Sequence, residues 1–253
     1  MRSPVNIAGY QPTTSYWLKQ WRSRYGDFPS DYLVFDVETT GLDRKHDLIV
    51  QLGYCEVRNC RVVHNEGEIL NWAEEPCISK SWLERKLTWT KERVSNQGKS
   101  YPWSMDVLKS GRKPLDVLAD FLVKISNPSK PIIFVAHNGW GFDVPMLENH
   151  FKRFLRDNFT FSEHSLIDTG AIEKAIQLGW QPIEAESLRT FAVRVVSEPA
   201  RVKWSLDGHV IPTYGLVDKH NLDVSKAHTA VFDSFVCHLY LEELRTMLGA
   251  ACA

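Results

Sequence analysis

Apolar positions along the chain alternate between strand-like runs and helical periods. "DYLVFDVETTGL" (31–42) is a nearly continuous apolar run that stops at Gly41, the pattern of a buried strand entering a turn. "DLIVQLGYCEVRN" and "RVVHNEGEILNW" read as two further strands, and the short polar gap "RNCR" between them predicts an antiparallel hairpin. After Pro114, Leu115, Leu118, Ala119, Leu122 and Ile125 keep a helical period. "KPIIFVAHNGWGF" is a short apolar strand broken by a glycine-containing loop, and Val144 to Leu155 reads as helix. "HSLIDT" predicts a short strand, and "DTGAIEKAIQLG" a helix with Asp168 as N-cap and Gly179 as C-cap.

From 197 to 224 the periodicity dissolves, and "DG" with two prolines predicts a hairpin or an excursion over the surface. The chain then runs into "SKAHTAVFDSFVCHLYLEELRTML", a long amphipathic helix opened by Ser225. Near the N-terminus, Trp17, Trp21 and Tyr25 recur at helical spacing among Lys19, Arg22 and Arg24, which predicts a short helix packing its aromatic face on the core. Strands first in a hairpin and then alternating with helices imply a three-layer α/β domain with a mixed central sheet flanked by helices. That domain spans 31–253, and residues 1–30 form an N-terminal extension packing on it.

Composition narrows the picture only slightly. Hydrophobic residues at 43% and charged ones at 24% of 253 residues match an ordinary globular protein. Thirty basic residues against 31 acidic ones neither demand nor exclude nucleic acid, so charge has to be read locally. Five cysteines (Cys55, Cys60, Cys77, Cys237, Cys252) without a CxxC pair predict reduced thiols. The absence of a signal-like run, or of the roughly 20 apolar residues of a membrane span, adds an expected cytoplasmic or nuclear location and no membrane partner.

The candidate chemistry lies in carboxylates. Asp36 and Glu38 stand two apart on the first strand, so they share a face. Asp143 closes "HNGWGFD" beyond a strand end, and His228 and Asp233 lie five apart in what reads as the first two turns of the last helix. Open α/β sheets place their crevice at such strand ends. If the four acids converge, no side-chain cation in these motifs compensates them, whereas Mg²⁺ or Mn²⁺ would. Two such ions about 3.5–4 Å apart would brace both the attacking and the leaving oxygen of a phosphodiester displacement. His228 has the chemistry of a general base.

These segments resemble the three ordered motifs of the DEDDh, or DnaQ-like, 3′-to-5′ exonucleases, a family with the ribonuclease H-like fold. The pattern D-x-E-T-T/A-G-L is met by Asp36 to Leu42, N-x-x-x-F-D by Asn138 to Asp143, and H-x-A-x-x-D by His228 to Asp233. The resemblance implies that Asp36, Glu38, Asp143 and Asp233 bind two Mg²⁺ or Mn²⁺ ions and that His228 is the general base. It further implies that Thr39 and Leu42, with Thr40 and Gly41 between them, hold the 3′-terminal nucleotide, and that Asn138 and Phe142 shape the same cleft. The expected activity is hydrolysis of single-stranded or frayed DNA or RNA from a free 3′ end, releasing nucleoside 5′-monophosphates. A proofreading subunit of a polymerase assembly and a non-catalytic nucleic-acid-binding module of the same fold are the alternatives, and a homodimer is open. The 197–224 stretch is longer than in minimal family members and residues 1–30 have no counterpart in them, so either is a place for substrate choice.

Other residues carry blander expectations. His137 reads as a structural, hydrogen-bonding histidine, and the spacing of the remaining histidines argues against zinc. Between 80 and 113, nine Lys or Arg against three acids are interleaved with Trp82, Trp89, Tyr101 and Trp103. The segment suits either a single-strand groove with stacked bases or a solvated basic face with its tryptophans turned inward. Its position beside the expected cleft favours contact.

Overall fold

The computed structural model describes residues 11–126, 132–199 and 201–249. Helix α1 (Gln11–Tyr25) leads into strands β1 (Tyr32–Thr39), β2 (Ile49–Arg58) and β3 (Arg61–Ile69). Helices α2 (Lys80–Ser95), α3 (Met105–Lys109) and α4 (Pro114–Ile125) follow, then β4 (Ile133–Ala136), α5 (Asp143–His150), β5 (Leu166–Asp168), α6 (Thr169–Leu178) and α7 (Leu188–Ser197). Short helices α8 (Ile211–Tyr214) and α9 (Leu216–His220) precede the long α10 (Ala230–Met247).

The sheet is mixed, in the order β3-β2-β1-β4-β5. β1, β2 and β3 form an antiparallel meander, and β4 and β5 run parallel to β1. The β2–β3 turn fits its residues, since Asn59 and Cys60 both take positive φ, as a two-residue hairpin demands. Alternation along β1 sends successive side chains to opposite layers. Phe35 turns toward α4, where Phe121 meets both it and its register partner Tyr54 edge-on or tilted at 6.1 Å. Asp36, one residue on, takes the other face, against which α10 packs. This is the expected three-layer arrangement.

The N-terminal helix buries Trp17, Leu18 and Trp21. Trp21 packs edge-on against Phe191 of α7, and the Trp17 indole donates to the Trp180 carbonyl. Asp168 and Gly179 cap α6 as expected: the Asp168 carboxylate accepts from the Ala171 N–H, and Gly179 takes φ 67°.

Three expectations need correction. Between 197 and 224 the described residues form no hairpin; the stretch is mostly exposed or half-buried, but it is helical where it meets the core. Leu206, Val210, Ile211, Tyr214 and Leu216 are buried at helical spacing, in a π-helical turn (Leu206–Val210) followed by α8 and α9. Pro212 sits in the first turn of α8, where its fixed φ suits a helix. Helix α10 begins at Ala230, not Ser225, because Thr229 is the N-cap and its hydroxyl accepts from the Phe232 N–H. Of the cysteines, Cys55, Cys77 and Cys237 are free, but Cys60 is disulfide-bonded, against the expectation of reduced thiols throughout. No helix among the described residues is long and apolar enough to cross a membrane.

Removing a buried indole leaves a cavity that its neighbours fill only in part. Trp21→Ala should therefore cost about 3–5 kcal/mol in urea unfolding, whereas Trp89→Ala, at an indole 52% exposed, should stay within about 1 kcal/mol. Equal effects would show that α1 is not part of the core.

Candidate active site

Two glycines let α10 approach the sheet. Asp36 is paired in register with Gly53, and Gly53 in turn with Gly67. A Cβ on Gly53 would lie 2.2 Å from the Ala230 carbonyl carbon, and one on Gly67 would lie 2.0 Å from the Val231 side chain. The first turn of α10 thus sits in a groove that larger residues would fill. Gln51 secures it by accepting the Ala230 N–H at 2.8 Å. The consequence is that Asp233 reaches β1: Asp36, Glu38 and Asp233 offer carboxylate oxygens that all lie within 4.8 Å of one another.

Asp143 stands near this trio but is not among the three acids whose oxygens meet within 4.8 Å. It opens α5, is buried, and accepts the Val37 N–H at 3.0 Å, between the two β1 acids. The loop before it is held from β5, where the Asp168 carboxylate accepts from the Asn138 and Trp140 N–H groups at 2.9 and 3.1 Å. Asp168 therefore does more than cap a helix.

The environment resists this concentration of charge. Burial, followed by the repulsion of Asp143, Asp233 and Glu38, pushes the Asp36 carboxyl well above its ordinary range. Glu38 is raised by burial and then by Asp233 and Asp143, with Lys99 opposing. Asp143 is raised chiefly by burial, which outweighs its bond from Val37. Asp233 rises to about 6, again by burial, with His228 and Lys99 opposing. A hard divalent cation fits such a set of oxygens, since it would reverse the repulsion at a stroke.

His228 is not in the helix, as its spacing from Asp233 suggested. It stands in the loop before α10 with φ 66°, a left-handed conformation, and its Nε2 lies 3.3 Å from an Asp207 oxygen. The Lys99 ammonium reaches that same oxygen at 2.9 Å. These contacts, that of His228 first, hold the Asp207 carboxyl well below its ordinary range.

Two recesses flank the acids. The smaller, about 180 Å³, is walled by Glu38, Thr39, Gly41, Leu42 and Phe142, with Arg93 and Tyr101 opposite. Leu42 stands 64% exposed, and the Tyr101 hydroxyl donates to the Thr39 carbonyl at 3.0 Å. Thr40 does not line this recess: its hydroxyl donates to the buried Asp47 at 3.0 Å, bracing the turn from behind. Asn138 lines the larger recess instead, about 480 Å³, with His137, Trp204, Asp207 and the acids Asp36 and Asp233. Lys99 and His228 border both. His137 is hydrogen-bonded on both ring nitrogens, to the Thr169 hydroxyl and the Trp204 carbonyl, and burial pushes its pKa down to about 4.

Sequence reasoning did not single out Arg93 or Lys99, named Tyr101 only among the aromatics of its stretch, and missed Asp207. The first three belong to the basic, aromatic stretch noted above. That stretch divides between its two readings: Trp103 is buried and Trp82 packs against the core, whereas Trp89 is exposed beneath the Lys86 ammonium and the Arg93 guanidinium, 5.8 and 5.1 Å from its ring centre. Asp207 belongs to no motif.

The fold is ribonuclease H-like. The chain superposes on E. coli exonuclease I in complex with a dA16 oligonucleotide over 87% of its own length and 42% of that chain, with a TM-score of 0.58 and 16% identity. The complex of the same enzyme with a dT13 oligonucleotide gives 0.57 at 16% identity, over 87% of this chain and 42% of that one. In sequence, the chain is 24% identical over 161 residues to a PolC-type DNA polymerase III of Caldanaerobacter subterraneus subsp. tengcongensis, covering 64% of this chain and 10% of the polymerase. It is 26% identical over 152 residues to the counterpart in Mycoplasmopsis pulmonis, covering 60% of this chain and 9% of that one. The chain thus spans about a tenth of the length of these curated relatives. No protein-family model matches it.

A carboxyl with a raised folded-state pKa binds its proton more tightly in the folded chain, so its ionisation weakens the fold as pH rises. For Asp233 that window runs from 3.8, its ordinary value, to about 6. Without metal, Asp233→Asn should therefore melt higher than wild type at pH 8, by about 2–4 °C for each kcal/mol relieved. The two should converge near pH 4, and an unchanged difference across that range would show that the carboxylate is not under strain.

Proposed function

We propose that this chain is a divalent-metal-dependent 3′-to-5′ exonuclease that acts on single-stranded or frayed ends and releases nucleoside 5′-monophosphates. The observation that carries the reading is the meeting of Asp36, Glu38 and Asp233 within 4.8 Å, beside His228 and a nucleotide-sized recess. Asp36, Glu38, Asp143 and Asp233 are the residues to hold two Mg²⁺ or Mn²⁺ ions, which when bound acidify water and shield charge on the phosphate and the leaving 3′-oxygen.

The chain's own side chains supply the rest. Leu42, exposed at the rim of the smaller recess, wedges against the terminal base, and Phe142 lines the recess beside it. The Thr39–Leu42 turn, braced through Thr40 and Asp47, holds that wall in place. A recess of about 180 Å³ suits a single unpaired base better than a base pair, which supports a single-stranded terminus. Lys99, between the two recesses, faces the scissile phosphate. His228 takes the proton of the attacking water on an imidazole nitrogen. That the neighbouring structures are exonuclease I with oligonucleotides supports single-stranded DNA as a substrate.

The relatives being DNA polymerases supports a second reading, in which this activity proofreads within a polymerase assembly. The chemistry would be the same and the partner different.

End-labelled single-stranded DNA and RNA should shorten stepwise with Mg²⁺ or Mn²⁺ and stay intact in EDTA. His228→Ala should slow the reaction by about 10²–10⁴-fold, and Asp143→Ala should abolish it. Label left intact by wild type under every metal condition would favour a non-catalytic binding module.

A further inference from the structure

The residue assigned as general base stands in the loop before α10, and what its ring touches decides how it is turned. His228 lies outside α10 on a left-handed residue, and the residues before it, 223–226, are exposed. The ring partner that the structure provides is Asp207, whose Oδ2 lies 3.3 Å from Nε2.

Asp207 is firmly anchored in the fold. It sits in the π-helical turn Leu206–Val210, whose two end residues are buried and whose N-cap Ser205 accepts the Gly208 N–H at 3.2 Å. Two residues on, His209 bonds at 2.8 Å to Glu173, a carboxylate with no exposure at all. The Tyr214 hydroxyl donates to Glu173 at 2.7 Å, and the Tyr240 hydroxyl donates to it as well. The 206–214 segment is therefore pinned to α6 and α10 through a buried charge, which fixes Asp207 beside the His228 ring.

We propose that Asp207 is a positioning residue for His228, so that the 197–224 segment completes the reaction site rather than merely covering it. This rests on the exonuclease reading above. A carboxylate accepting one ring N–H selects a single tautomer and turns the ring, leaving the other nitrogen with its lone pair for the water proton. Lys99 on the same oxygen keeps the acid from repelling the strand, since its ammonium offsets the carboxylate charge.

The test is a double-mutant cycle in kcat and KM on a single-stranded oligonucleotide with Mn²⁺. Asp207→Asn should lower kcat about tenfold with KM within about twofold of wild type. In the His228→Ala background the same change should move kcat by less than about twofold, because the residue through which it acts is gone. Asp207→Glu, which restores the charge, should recover part of the loss, and in a Lys99→Met background the effect of Asp207→Asn should persist. Equal losses with and without His228, a loss that vanishes with Lys99 instead, an unchanged kcat, or a lower KM from an acid that merely fills the phosphate's place would each overturn the proposal.

A second readout needs no turnover. In the metal-free full chain, the ¹⁵N signals of the His228 ring should show one tautomer in wild type and a mixture in Asp207→Asn; identical spectra would overturn the proposal. If wild type leaves the oligonucleotide intact, the exonuclease reading fails, while the ring spectra still decide whether Asp207 orients His228.

Discussion

The close approach of α10 to the sheet is the constraint on which the candidate site depends. Gly53 and Gly67, facing each other across β2 and β3, remove the side chains that would hold the helix off, and Gln51 ties its first N–H to the strand. That contact brings Asp233 against Asp36 and Glu38. The helix N-terminus offers its positive end to the acids, a contribution of only about 0.3–1 kcal/mol in exposed settings. Several buried or half-buried carboxylates cost more than that, as the upward pressure on all four pKa values records. The fold is arranged to concentrate negative charge, and divalent cations are the natural counterpart.

Much of this was legible in the chain itself. The strand alternation of "YLVFDVET" puts Phe35 on one face and Asp36 on the other, and that alternation alone joins the packing of α4 to the chemistry beside α10. The hairpin, the caps of α6 and the three acidic segments were equally visible, because each is a local pattern with a local cause. The motif order also pointed to the fold that the superposition on exonuclease I shows.

What was not legible depends on distance in sequence. Asp207 has no motif, since its role is defined by Lys99 and His228, respectively more than a hundred residues earlier and about twenty later. The 197–224 segment hid its helical turns because its apolar positions are interrupted by Gly208, Pro212 and Gly215 and recover a period only when packed on α6 and α10. His228 seemed helical by its spacing from Asp233. The Thr229 cap and a positive φ, which spacing does not encode, place it in the loop. In the basic stretch, composition alone could not separate Trp103, turned into the core, from Trp89, left under two cations.

The central claim, that the converging acids are a site for divalent cations, is tested most directly by titrating the metal-free chain with Mn²⁺ in a calorimeter. The account predicts saturable uptake by wild type that is lost or strongly weakened in Asp36→Asn and Glu38→Gln. No heat of binding in wild type, or uptake that both variants retain in full, would contradict it.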